Sequence, residues 1–102
     1  MSMLHTVNKS PFERNALESC LGHAQPGDAI LLIEDAVYAA LNGTSLAGRI
    51  ADAAKSFRVH VLGPDLQARG GDPANVVAGV TVVDYSGFVT LAAENKAVNA
   101  WL

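Results

Sequence analysis

Gly27-Asp28-Ala29-Ile30-Leu31-Leu32-Ile33-Glu34-Asp35 is the stretch on which the fold class turns. Ala29 to Ile33 form a continuous apolar run bounded by acidic residues, with no alternation of polar and apolar positions. Such a run reads as a central strand buried on both faces, the condition of strands in a parallel sheet. Upstream, Met3 to Val7 is a second short apolar run, read as the first strand. Between the two, Ser10-Pro11 predicts a helix start, with Ser as N-cap and Pro where its missing N–H costs nothing. That helix is expected to reach about Ala24, with Phe12, Ala16, Leu17, Cys20, Leu21 and Ala24 on one face, and to end at Pro26-Gly27-Asp28.

Downstream, Glu34-Asp35 closes the central strand and Ala36 to Leu41 suits a short helix. After the turn Asn42-Gly43-Thr44, Ser45 is the expected cap of a helix carrying Leu46, Ile50, Ala53, Ala54 and Phe57. Arg58 to Leu62 reads as a strand, and Gly63-Pro64-Asp65 opens a single helical turn that stops by Gly70-Gly71. Val80 to Val83 is a further strand ended by Asp84, and Ser86 is the expected cap of a helix from about Gly87 to Asn95. Val98 to Leu102 either adds a final strand or lies against the body. Helical crossovers between strands predict an α/β fold, with a mainly parallel central sheet and helices on both faces.

The 102 residues suffice for one domain (residues 1–102) with one core. Half the residues are apolar, more than so small a domain readily hides, so exposed apolar surface and an obligate oligomer are expected. The net charge of −3 is scattered without a basic run, which argues against direct nucleic-acid binding. No apolar stretch reaches the roughly 20 residues of a membrane span, and the opening residues lack a secretory leader, so the expected location is the cytoplasm. One cysteine, Cys20, excludes an intramolecular disulfide and a CxxC pair. The expected carboxyl ends of the strands carry Asn8-Lys9, Glu34-Asp35, Gly63-Pro64-Asp65 and Asp84-Tyr85, an acidic edge unsuited to phosphate. No GxGxxG or GxxxxGK[ST] follows a strand, so no cofactor is expected.

Several stretches resemble the DsrH/TusB family. Leu4-His5-Thr6-Val7-Asn8-Lys9-Ser10-Pro11 is similar to its opening signature, and Gly27 to Leu41 to its second-strand block. Leu62 to Gly70, Val83 to Val89 and the near-terminal Trp101 complete an ordered match over nearly the whole chain. The resemblance implies a flavodoxin-like fold and a subunit of a sulfur-relay complex, assembled with DsrE-like and DsrF-like subunits as an α2β2γ2 heterohexamer. It implies that persulfide sulfur passes between the complex and a carrier of the DsrC/TusE kind, while the principal sulfur-carrying cysteine lies on the DsrE-like partner. In the Dsr branch the relay serves oxidation of stored sulfur; in the Tus branch it serves 2-thiolation of the tRNA wobble uridine. Cys20, at a position similar to a cysteine of Dsr-branch members, and the Asn8-to-Asn15 stretch tilt the expectation to the Dsr branch.

Cys20 is the candidate accessory persulfide carrier, and His23 its candidate thiolate modulator, three residues on along the helix. Against that role, Cys20 falls in the middle of the apolar stripe, where an inert packing thiol is the default. The last turn of a helix also disfavours an anion. His5 and His60 read as hydrogen-bonded strand histidines rather than metal ligands, since no Cys, Asp or Glu stands beside either at ligand spacing. Glu34-Asp35 reads as a solvated strand end with Asp35 as N-cap rather than an acid/base pair. Tyr38 and Tyr85 are candidates for interface anchors or for core packing, and Trp101 for burial by a partner or by its own core. From another class, a stand-alone flavodoxin-like small-ligand binder would declare itself by bound flavin in an absorption spectrum.

Overall fold

The computed structural model describes residues 2–12 and 15–101. Its elements are β1 (Met3–Val7), α1 (Ala16–His23), β2 (Ala29–Leu32), a 3-10 segment (Glu34–Ala40), α2 (Ala47–Ser56) and β3 (Arg58–Leu62). There follow α3 (Gly63–Ala68), a short 3-10 turn (Pro73–Asn75), β4 (Thr81–Val83), α4 (Tyr85–Glu94) and β5 (Ala97–Trp101). The strands form one sheet in the order β4-β3-β2-β1-β5, and every pairing is parallel. β2 sits at its centre with all four residues buried, as its unbroken apolar run requires.

Alternate residues of each strand feed opposite cores. Val7, Ile30, Leu32, Val59 and Val61 pack with α1, α2, α3 and the first 3-10 segment through Leu17, Cys20, Ile50, Val37 and Leu66. On the other face Leu4, Ala29, Leu31 and Leu62 meet Leu91, Phe88 and Ala92 of α4. The helices therefore lie on both faces, but unequally. α4 carries the chain from the β4 edge, across the sheet, to the far side of β1, where β5 pairs in register from Met3↔Ala97 to Val7↔Trp101.

The helix ends differ from the sequence expectation. Ser10 does not cap α1: its Oγ accepts from Phe12 N–H at 3.3 Å in a local turn, and the helix is entered at Ala16 after Asn15. Proline suits the second position of a turn as well as the first of a helix, and serine bonds its own i+2 backbone readily. Phe12 is consequently exposed; Glu13 and Arg14, which the expected helix included, lie outside the described residues. Thr44, not Ser45, accepts from the backbone ahead of α2 (Leu46 N–H, 3.2 Å), and Asp84, not Ser86, caps α4 by accepting from Gly87 N–H at 2.8 Å. Asp35 is not an N-cap either. It lies inside the 3-10 segment and accepts from Arg69 Nε at 2.8 Å, while Asp65 accepts from Glu34 N–H at 2.7 Å.

Candidate functional site

The chemistry-bearing side chains gather where α1 packs over β1, β2 and β5. Asp28 stands immediately before β2 with only 4 % of its surface exposed. Its carboxylate accepts from Met3 N–H at 3.0 Å, Gln25 N–H at 2.9 Å and His5 Nε2 at 2.9 Å. Burial by itself raises a carboxyl pKa. The two backbone N–H groups and the imidazole outweigh it and hold Asp28 below the usual range. One buried side chain thus ties the start of β1, the turn after α1 and the middle of β1 to the entrance of β2.

His5 is committed on both sides. A carboxylate only accepts and an indole only donates, so Asp28 requires a proton on Nε2 and Trp101 requires a bare Nδ1, which its Nε1–H reaches at 3.1 Å. Both hydrogen bonds form together only with the neutral Nε2–H tautomer. Trp101 lies partly buried against the α1-side core, its ring 6.2 Å from His5 and 5.4 Å from His23 between centroids. The indole thus docks on the chain's own core and stays partly exposed. Tyr85, by contrast, is 60 % exposed, which removes core packing as its role.

The two candidates Cys20 and His23 share α1 but point to different surroundings. Cys20 is wholly buried among Leu17, Leu21 and the strands beneath. Loss of solvation, with the nearby Asp28 charge adding to it, pushes the thiol up to about 12. His23 is exposed; its Nδ1 lies 3.3 Å from Ser19 O and its ring leans on Trp101. No described hydrogen bond links it to Cys20. A thiol in this setting is protonated at neutral pH, and the thiolate is the form that attacks a persulfide.

His60 projects to the other face, half-buried, with Nδ1 3.0 Å from Arg58 O; loss of solvation lowers its pKa. It borders a cavity of about 340 Å³ at the amino ends of β3 and β4, where Phe57, Arg58, Gly79 and Thr81 also line the wall. At the opposite, carboxyl edge, the acidic residues are spent on Asp84's cap, Asp65's bond to Glu34 and the Asp35–Arg69 pair. Among the described residues no cluster of three or more His, Cys, Asp or Glu could hold a metal, and no helix is long and apolar enough to cross a membrane. Sequence reasoning treated Asp28 only as part of a helix-ending turn. The lone carboxylate opening an apolar strand was the available signal.

Residues 9–98 match the family model described as DsrH like protein. The chain is 36 % identical over 99 residues to Protein TusB of Pectobacterium parmentieri, covering 97 % of this chain and all of the relative. It is 39 % identical over 99 residues to Protein TusB of Erwinia tasmaniensis and 33 % over 101 residues to that of Escherichia coli K12, with the same coverage. Among solved structures, the ychN protein from E. coli superimposes with a TM-score of 0.82 at 14 % identity, covering 98 % of both chains. The MTH1491 protein of Methanobacterium thermoautotrophicum gives 0.71 at 14 % identity, covering 97 % of this chain and 96 % of that one. At that identity the two structures speak for the fold alone. Family-model match and full-length relatives agree: the chain belongs to the DsrH-like family, with TusB proteins among its relatives.

Proposed function

We propose that this chain is a TusB-type assembly subunit of a cytoplasmic sulfur-relay complex. In that complex it stands with DsrE/TusD-like and DsrF/TusC-like partners in an α2β2γ2 heterohexamer, which passes persulfide sulfur to a DsrC/TusE-type carrier. The end use is 2-thiolation of the tRNA wobble uridine. The observation that carries this reading is the end-to-end similarity to TusB proteins, 33–39 % identical over 97 % of the chain. It favours this branch over the sulfur-oxidation reading, whose support was Cys20 and the Asn8-to-Asn15 stretch. A buried core thiol has a packing reason to exist in either branch.

The scaffold role agrees with the surface. Tyr85 and Val89, one turn apart on α4, are 60 % and 69 % exposed, and Val98 of β5 on the same side of the sheet is half exposed. Apolar surface of this kind marks partner contact. Cys20, in this reading, packs and does not carry sulfur.

Mass spectrometry of the co-expressed complex after treatment with a persulfide donor tests the assignment. The gain of about 32 Da per sulfur atom is expected on a partner subunit, not on this chain. A gain here that Cys20→Ser abolishes would make this chain a carrier. Restoration of 2-thiouridine in a strain lacking TusB separates the branches, and failure to restore it by a chain that still assembles would return the sulfur-oxidation reading. If the chain assembles with neither partner, the relay reading falls altogether.

A further inference from the structure

We propose that His5 is a proton-operated latch for Trp101: a proton taken up at Nδ1 breaks the indole hydrogen bond and frees the outer end of β5. The argument starts from donor and acceptor chemistry. Trp101 has one polar group, an N–H, and the structure aims it at His5 Nδ1 at 3.1 Å. Protonated there, His5 opposes one N–H to another, and the indole loses its acceptor. The other nitrogen already donates to Asp28 at 2.9 Å, so once Nδ1 is protonated the ring has no acceptor left to offer the indole.

The charges around the ring set how the latch works. Asp28, ahead of β2, already accepts from Nε2, and that bond becomes charge-assisted on both sides when the proton arrives. On α1, Cys20 lies near Asp28 but stays a neutral thiol, and His23 faces the other side of the indole. Protonation thus exchanges one partner for another: Asp28 holds the ring in place while Trp101 is released.

Release is local because β5 is held twice. At its amino end, Asn95 accepts from Ser2 Oγ at 2.6 Å and from an Arg58 guanidinium N–H at 3.0 Å, and Lys96 N–H reaches Ser2 O at 2.9 Å. At its carboxyl end the indole bond is the side-chain hydrogen bond found among the described residues, on a strand at the edge of the sheet beside β1.

Trp101 is the single tryptophan, so its emission reports the latch directly. His23 also touches the indole and is replaced first, His23→Gln giving the baseline chain. Between about pH 8 and pH 5 the baseline emission should move to longer wavelength and become more accessible to acrylamide. Far-ultraviolet circular dichroism should stay unchanged across that range. In the His5→Asn, His23→Gln chain the step should vanish. A flat baseline, a step that survives His5→Asn, or a step that coincides with loss of circular dichroism overturns the proposal. If His5→Asn does not fold, nitrogen-15 NMR of the unaltered chain decides. Nδ1 bare at pH 8 and protonated on the same step as the Trp101 indole signal shifts is the expected result, and a proton on Nδ1 at pH 8 overturns it.

Discussion

Asp28 and His5, 23 positions apart in sequence, meet in a buried pair with Oδ2 2.9 Å from Nε2, and the same carboxylate accepts from two backbone N–H groups. The pair joins β1 to the entrance of β2, the two strands that carry the centre of the sheet. Removing one member leaves the other's groups buried without partners, which is where the first prediction lies.

Asp28→Ala should strand three donors, from Met3, Gln25 and His5. At 1–3 kcal/mol for an unsatisfied buried group, partly relieved by relaxation, the expected loss is about 3 kcal/mol. For a domain of this size that lowers Tm by roughly 15 °C. Thermal unfolding followed by circular dichroism checks it, and a drop under about 1 kcal/mol would mean that water replaces the carboxylate.

Cys20 should be inert in the native chain. With the thiol pushed up to about 12 and wholly buried, reaction with Ellman's reagent at pH 8 should be slow and limited by opening, then complete at once in denaturant. Fast stoichiometric labelling of the folded chain would contradict both the burial and the packing role proposed for this residue.

Two groups should make the fold weaker in acid, in separate windows. His60 has a lowered folded pKa, so the unfolded chain takes up the proton first. Its contribution is whole above the ordinary value of about 6.5 and is lost as pH falls through the folded value. Asp28, also lowered, keeps its contribution above the ordinary carboxylate range of about 3.9 and loses it below. Urea midpoints at pH 7.5 and 5.5 should therefore differ, with the acid value lower. His60→Gln should narrow that difference and leave the loss below pH 4 in place.

Glu34 enters the 3-10 segment with φ +49°, a left-handed conformation in a residue with a Cβ. Its side chain is exposed, and its N–H keeps the bond to Asp65 whatever the side chain. Glu34→Gly should relieve strain of about 1 kcal/mol and give back part of it through the more flexible unfolded chain. A net gain of about 0.5 kcal/mol, a rise of a few degrees in Tm, is expected. A loss of stability would show that the Glu34 side chain contributes more than its strain costs.

Strand positions were legible because the apolar run Ala29 to Leu32 and the alternating stretch Arg58 to Leu62, rich in Val and Leu, suit strands of a layered α/β domain. Helix boundaries were less so. Ser10, Ser45 and Ser86 each stand within one to a few residues of another group able to accept the same N–H, and propensity does not choose between them. Thr44 and Asp84 took two of these places because the chain's path from the preceding strand or turn brought their oxygens into line. The first helix lost its opening turn to a local Ser10–Phe12 bond that the Ser-Pro pattern fits equally well.

The alternation of apolar runs with helical periodicity determined by itself that this chain builds a parallel sheet between helices, since burial of apolar surface is a sum over residues in sequence. It also determined that one thiol would lie on an apolar stripe. Only the tertiary structure decided that β5 closes beside β1, that Asp28 collects three donors, and that Trp101 ends on a histidine 96 residues away. Those are relations of donor to acceptor, set by distance and direction within a few tenths of an ångström. A linear pattern of residue types carries neither.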